Sequence, residues 1–249
     1  LLPRETIDEV VHNGDAGEGW LQVPPMFPNV NTDEFREEMK EKYVGFDEET
    51  ALQEIREGME EEGFEPPITS TIVTGDLPYM PRHAEIIVEV LNEYEPFELE
   101  FEVYVYVPDL IDRISELDED GNPVQYERDE IVAIRNTGSP SPYEWFNRLV
   151  TESGVPPACC NFSGYINPEI ESLMQEAEQT FDEEEKIGIY QEMLEIIARD
   201  SPRGYFIWLP ETHATRDRVR NHQVFYDSAW QFTSIYTPTA DAFVWLDDA

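Results

Sequence analysis

The chain has 249 residues, of which 55 are Asp or Glu and 16 are Lys or Arg, giving a formal net charge of −39. Nothing in that balance would neutralise phosphates, so nucleic acid is excluded as an expected partner. Hydrophobic residues make up 40% and aromatic residues 12%, too much apolar surface for a solvated, disordered tail.

Lys40, Lys42 and Lys186 are the only lysines; the other cations are arginines. Acid-rich, lysine-poor surfaces resemble those of proteins from extreme halophiles, and we read the charge as adaptation of the whole surface to salt, which screens self-repulsion. A specific cation-binding or acidic interaction surface is the alternative. No run of about 18 apolar residues could span a membrane. Cys159 and Cys160 are adjacent and have no spaced partner for a zinc site. They are expected to be structural or incidental thiols, with a vicinal disulfide or an intermolecular bridge as alternatives.

Residues 3–11 read as a short helix with Gly14 past its end, and 12–31 as a long loop that Trp20 and Phe27 tack down. Thr32 or Asp33 opens a helix to about Tyr43. Asp47 caps another over 48–62, with Ala51, Leu52, Ile55 and Met59 on one face and Gly63 at its end. Strands and helices then alternate: a strand over 68–74, a helix over 82–94 and a strand over 99–107 whose period of two predicts one buried face. A short helix over 109–117, a turn over 118–123, a strand over 131–134 and a helix over 142–150 follow. Asn167 and Pro168 start a helix with Ile170, Leu173, Met174 and Ala177 in one stripe. Asp182 caps the next, over 183–199, ended by Pro202. A buried strand is expected over 205–209, with further strands over 224–226 and 243–246. This order predicts a single α/β domain, a mixed sheet with flanking helices.

Catalytic signatures are absent: there is no phosphate-cradling glycine loop, no Gly-x-Ser-x-Gly elbow and no His-Glu-x-x-His. His12, His83, His213 and His222 are scattered. A glycosidase-like carboxylate pair has no diagnostic value among 55 acidic residues. We therefore expect neither catalysis nor a cofactor or metal. The loop Arg135-Asn136-Thr137-Gly138-Ser139 follows a strand and precedes a helix carrying Tyr143 and Trp145. Ligands of open α/β sheets bind beyond the carboxyl ends of strands, so this loop is either a ligand contact or an ordinary connection, and Trp145 either a ligand contact or core.

Asn161-Phe-Ser-Gly-Tyr-Ile-Asn-Pro-Glu-Ile-Glu-Ser-Leu-Met-Gln-Glu-Ala177 resembles a segment of the extracellular solute-binding proteins of ABC importers, the family 5 type that includes the dipeptide and oligopeptide receptors. Ala177-Glu-Gln-Thr-Phe-Asp182, the run from Tyr190 through Ile197 and Asp200 to Pro202, Arg4-Glu-Thr-Ile-Asp-Glu-Val, and Phe46-Asp-Glu-Glu-Thr-Ala51 with Gly63-Phe64 are similar to further motifs of that family. The resemblance implies one lobe of a two-lobed, class II periplasmic-binding-protein-like fold. Residues 1–249 would be the C-terminal lobe, with about 230–249 returning toward an N-terminal lobe. It implies capture of a peptide or other small solute between the lobes, delivery to ABC transporter permease subunits, and a place on the extracellular face of the membrane through an N-terminal lipid anchor. Ligand contacts would come from Arg135 to Ser139, Tyr143, Trp145, Asn161, Phe162 and Tyr165. One departure stands out: where peptide-binding members place an Asp for the ligand's α-amino group, this chain has Gly138. A buried ammonium needs a charged or strongly accepting partner, so the departure counts against free-amine peptides and favours sugars, modified peptides or other solutes. A sensing lobe of a cytoplasmic regulator, or a carboxylate-dependent glycoside hydrolase, are the rival readings.

Overall fold

A computed structural model describes residues 1–25, 27–45, 47–134, 141–209, 216–217, 219–220 and 245–246. At its centre, β2 (Ile68–Gly75) lies between β3 (Phe97–Tyr104) and β4 (Glu130–Ala133), all parallel. The register sets Ile72 beside Phe101 and Ile131, and Val73 beside Glu102 and Val132. Because paired residues of a parallel ladder point to the same face, Ile72 faces one layer and Val73 the other. On the Ile72 side pack α1 (Arg4–His12) through Ile7, and α4 (Met80–Leu91) through Ala84, Ile86 and Ile87. On the Val73 side pack Leu110 and Ile114, the latter ending the short α5 (Ile111–Ile114).

The larger core is helical. Helices α7 (Pro168–Gln179) and α8 (Glu183–Asp200) bury Ile170, Leu173, Met174, Ala177, Met193, Leu194 and Ile197 against Trp20, Leu21, Val23 and Met39. Each of the large aliphatic side chains contributes about 1.5–3 kcal/mol by leaving water. α6 (Pro142–Asn147) adds Phe146, whose ring stacks on Tyr190 at 5.7 Å. Caps fix where the helices begin. The side chains of Asn167 and Asp182 accept the N–H groups of Glu169 and of Glu184 and Glu185. Thr32 and Asp47 do the same for α2 (Asp33–Met39) and α3 (Glu48–Glu62). Such a cap is worth about 1 kcal/mol, and the acidic first turns place part of the chain's negative charge where the helix dipole favours it. Gly63, at φ 72°, supplies the left-handed residue that ends α3.

Two short ladders and an isolated antiparallel bridge between Leu117 and Pro123 add to the described pairing. β1 (Gly17–Glu18) runs antiparallel to β5 (Ile207–Trp208), and β6 (Val219–Arg220) antiparallel to β7 (Trp245–Leu246). Arg4 locks the first ladder: its Nε donates to the carbonyls of Gly19 and Tyr205, both at 2.9 Å, and its guanidinium lies 3.9 Å from the centre of the Trp20 ring. Burial lowers the pKa of Arg4 to about 10, partly offset by Glu18.

The structure corrects several expectations. Of the alternating strand, only Leu99 is buried; Phe101, Val103, Val105 and Val107 are exposed, β3 being an edge strand among the described residues, with helix cover ending near Leu99. There the side-chain amide of Asn92 closes the open edge, accepting from the Leu99 N–H at 2.7 Å and donating to its carbonyl at 2.9 Å. On α3 only Met59 is buried, so the stripe through Ala51, Leu52 and Ile55 has no full cover among the described residues. The strand expected over 205–209 shrinks to Ile207–Trp208, half-buried rather than buried. α6 ends at Asn147, not Val150. The strand expected over 224–226 lies outside the described residues.

Candidate ligand-binding face

All three parallel strands end on the same side of the sheet, at Gly75, Tyr104 and Ala133, which is the edge where open α/β sheets form their crevices. A Cβ on Gly75 would lie 2.4 Å from Cδ2 of Tyr106, so only glycine lets that ring lie against the top of β2. The next residue, Asp76, accepts the Tyr106 N–H through Oδ1 at 2.9 Å. Thr74 Oγ1 donates to the Ala133 carbonyl at 2.9 Å and fastens β2 to β4 just below. Tyr104 donates to the Glu102 carboxylate at 2.6 Å, a bond that raises its pKa, and the Arg113 guanidinium sits 5.3 Å from its ring centre. Arg113 is held there by an ion pair with Glu130. Phe162 reaches this edge from a distant segment and packs with Val73, Leu110 and Ile114, beside Tyr104, Tyr106 and Ile134.

Of the residues expected to contact ligand, Phe162 is thus at the strand ends. Arg135, Asn136, Thr137, Gly138 and Ser139 lie outside the described residues. Tyr143, Trp145 and Tyr165 sit in or against the helical core, and Asn161 is buried. Tyr143 donates to the Glu178 carboxylate, clamping α6 to α7, and burial together with Glu178 pushes its pKa up to about 12. Trp145 is 4% exposed and meets Trp208 edge-on at 5.6 Å, while its carbonyl accepts from Gln22 at 2.6 Å. Asn161 is fully buried: its Nδ2 donates to the carbonyls of Thr151 at 3.0 Å and Tyr165 at 2.8 Å, and its Oδ1 accepts from Ser163 at 3.0 Å. The Tyr165 hydroxyl donates to Asp200 Oδ2 at 2.6 Å and accepts from Asn167 at 3.0 Å, and burial then Asp200 raise its pKa to about 12. The side chains of Trp145 and Asn161 are thus packed or hydrogen-bonded within the scaffold.

Gly75, Asp76, Tyr104 and Tyr106 were missed by sequence reasoning. Their signal was positional: Thr-Gly-Asp and Tyr-x-Tyr directly where two strands end. The cysteines also differ from expectation, since Cys159 and Cys160 are joined in a disulfide. Among the described residues, no three or more His, Cys, Asp or Glu side chains are arranged to hold a metal ion, and no helix is long and apolar enough to cross a membrane.

The described fold is a three-stranded parallel sheet with helices on both faces, beside a helical layer. No protein-family model and no curated protein matches the sequence. Solved structures do match the fold. The oligopeptide-binding protein AppA of Bacillus subtilis, in complex with a nonapeptide, is 16% identical with a TM-score of 0.70, over 99% of this chain and 46% of its own. The periplasmic binding protein DppA of Helicobacter pylori, in complex with the peptide STSA, is 17% identical with a TM-score of 0.65, over 99% and 42%. NikA of Staphylococcus aureus, in complex with Ni(L-His)2, is 15% identical with a TM-score of 0.61, over 90% and 43%. The chain spans less than half the length of each of these three proteins.

Proposed function

We propose that residues 1–249 are the C-terminal lobe of the substrate-binding component of an ABC importer, and that the lobe forms one wall of a cleft for a peptide or another small solute. The observation that carries this reading is the fold match over 99% of the chain to two peptide-binding receptors. It is supported by an aromatic-lined edge at the carboxyl ends of the parallel strands, where Tyr104, Tyr106 and Phe162 cluster. Such a face binds without chemistry: apolar rings supply contact area, and a few polar groups fix orientation. A second lobe, closing over it, would complete the enclosure. Arg135 to Ser139 would supply contacts from the connection after β4, about 230–249 would return to the other lobe, and the whole receptor would stand outside the cell on a lipid anchor and meet permease subunits.

The test is mass spectrometry of small molecules released from the full-length protein after purification in high salt, followed by calorimetry with the compound found. A peptide or small solute bound one to one, and far more tightly by the full-length protein than by residues 1–249, is expected. Equal affinity for both, or turnover of the bound compound, overturns the proposal.

A further inference from the structure

We infer that the Cys159–Cys160 disulfide is a reversible redox modification site that controls how the chain enters Phe162. A disulfide stabilises the folded state chiefly by closing a loop of the unfolded chain, and the effect grows with loop length. A bond between neighbours closes no such loop, so it is a poor staple. Its consequence is local: it shuts the peptide between the two cysteines into a small ring and removes most of that peptide's conformational freedom. Both residues are half-buried, with Cys160 packed against the helical core, and a partly exposed disulfide is the kind that exchanges with an external dithiol.

The surroundings would transmit the change. The Cys160 carbonyl accepts from Arg203 Nη2 at 2.9 Å, and the next N–H, of Asn161, donates to the Gly154 carbonyl at 2.8 Å. The Asn161 side chain is clamped to Thr151 and Tyr165, and Phe162 then enters the cluster at the strand ends. One residue therefore separates a ring sulfur from the aromatic group packed against β2. In reduction, a thiolate of the external dithiol attacks one sulfur, giving a mixed disulfide and freeing the neighbouring cysteine. The dithiol's second thiolate then releases the other cysteine. Two electrons and two protons pass to Cys159 and Cys160, the dithiol leaves as its own disulfide, and the reverse exchange with an oxidised dithiol restores the bond. Ring opening frees the 159–160 peptide and loosens the Arg203 grip.

The experiment uses the whole 249-residue chain in high salt and needs no ligand, so its outcome is independent of the proposed transport role. Thiol titration without reductant is expected to find no free thiols, and dithiothreitol to expose two per chain. Hydrogen exchange followed by mass spectrometry is expected to show the amides of Asn161 and Phe162 exchanging about tenfold faster after reduction, while α7 and α8 are unchanged. Reoxidation of the same sample by oxidised dithiothreitol should restore the slow rate, a control that requires no variant. The double substitution C159S/C160S should exchange like the reduced protein and ignore reductant. Free thiols in the oxidised preparation, a disulfide that links two chains, or equal exchange in both redox states would overturn the inference.

Discussion

The Nε2 atoms of His12 and His83 lie 2.8 Å apart and tie α1 to α4. One imidazole must donate and the other accept, so the pair requires at least one neutral ring. Burial first, and His12 second, lower the pKa of His83 to about 4. The unfolded chain therefore takes up this proton before the folded one does. Stability from the pair is complete above pH ~6.5, falls as the pH drops from ~6.5 toward 4, and levels off below; the loss is roughly 1–3 kcal/mol. Since the carboxylates titrate near the lower end of that window, the measurement is a difference. Urea titrations of wild type and His83→Gln at matched salt should diverge between pH 7 and 5, with the variant the flatter. Parallel curves would refute it.

Removing the Asn161 amide takes a donor from the part-buried Tyr165 carbonyl and from the Thr151 carbonyl, which keeps the Gly154 N–H at 3.1 Å. Asn161→Ala should cost about 1–3 kcal/mol, above the ~1 kcal/mol of an average hydrogen bond, because two hydrogen bonds of one buried amide are lost together. A change in urea midpoint corresponding to less than 1 kcal/mol would show that water repairs the site.

Two apolar residues of neighbouring elements should behave oppositely. Met193 is fully buried in the helical core, whereas Phe181, in the turn between α7 and α8, is 94% exposed. Met193→Ala is expected to destabilise by about 2–5 kcal/mol through lost burial and a cavity; Phe181→Ser should stay within about 0.5 kcal/mol. Differential scanning calorimetry in high salt distinguishes them.

A net charge of −39 should make folding depend on ionic strength. The Debye length grows from about 3 Å at 1 M salt to 30 Å at 0.01 M, so dilution restores repulsion across the whole surface. Far-ultraviolet circular dichroism is expected to lose helical signal on dialysis to low salt and recover it on return. A spectrum that ignores salt would contradict a charge-limited fold.

If the strand ends form the ligand wall, Gly75→Ala should displace the Tyr106 ring and weaken binding of the co-purified solute by about tenfold, or ~1.4 kcal/mol. Helix content should remain unchanged. Calorimetry with unaltered affinity would place the ligand elsewhere.

What was legible in the sequence was whatever is encoded locally. Asp47, Asn167 and Asp182 announced their helices because a cap and its first turn are neighbours in the chain, and the stripe from Ile170 to Ala177 follows from helical period alone. Burial was less legible, since it depends on what lies opposite. The alternation through Phe101 and Val103 correctly gave a strand but not its cover, because no local pattern reports that β3 is an edge. The tyrosine hydroxyls were harder still. Tyr143 and Tyr165 find Glu178 and Asp200, each 35 residues away, and with 55 carboxylates available no spacing rule could choose those two. Resemblance suggested Phe162 as a ligand contact, while its sharing of one cluster with Tyr104 and Tyr106 depends on the parallel register and was not legible.

Helix α3 is well capped at both ends yet buries only Met59. Its persistence therefore depends more on its own backbone bonds and terminal caps than on neighbours, and a helix of this length is marginal alone in water. It should open and close as a separate unit, at a free energy well below that of global unfolding. Proteolytic nicking would begin there, leaving the parallel sheet and the α7–α8 layer as the resistant remainder.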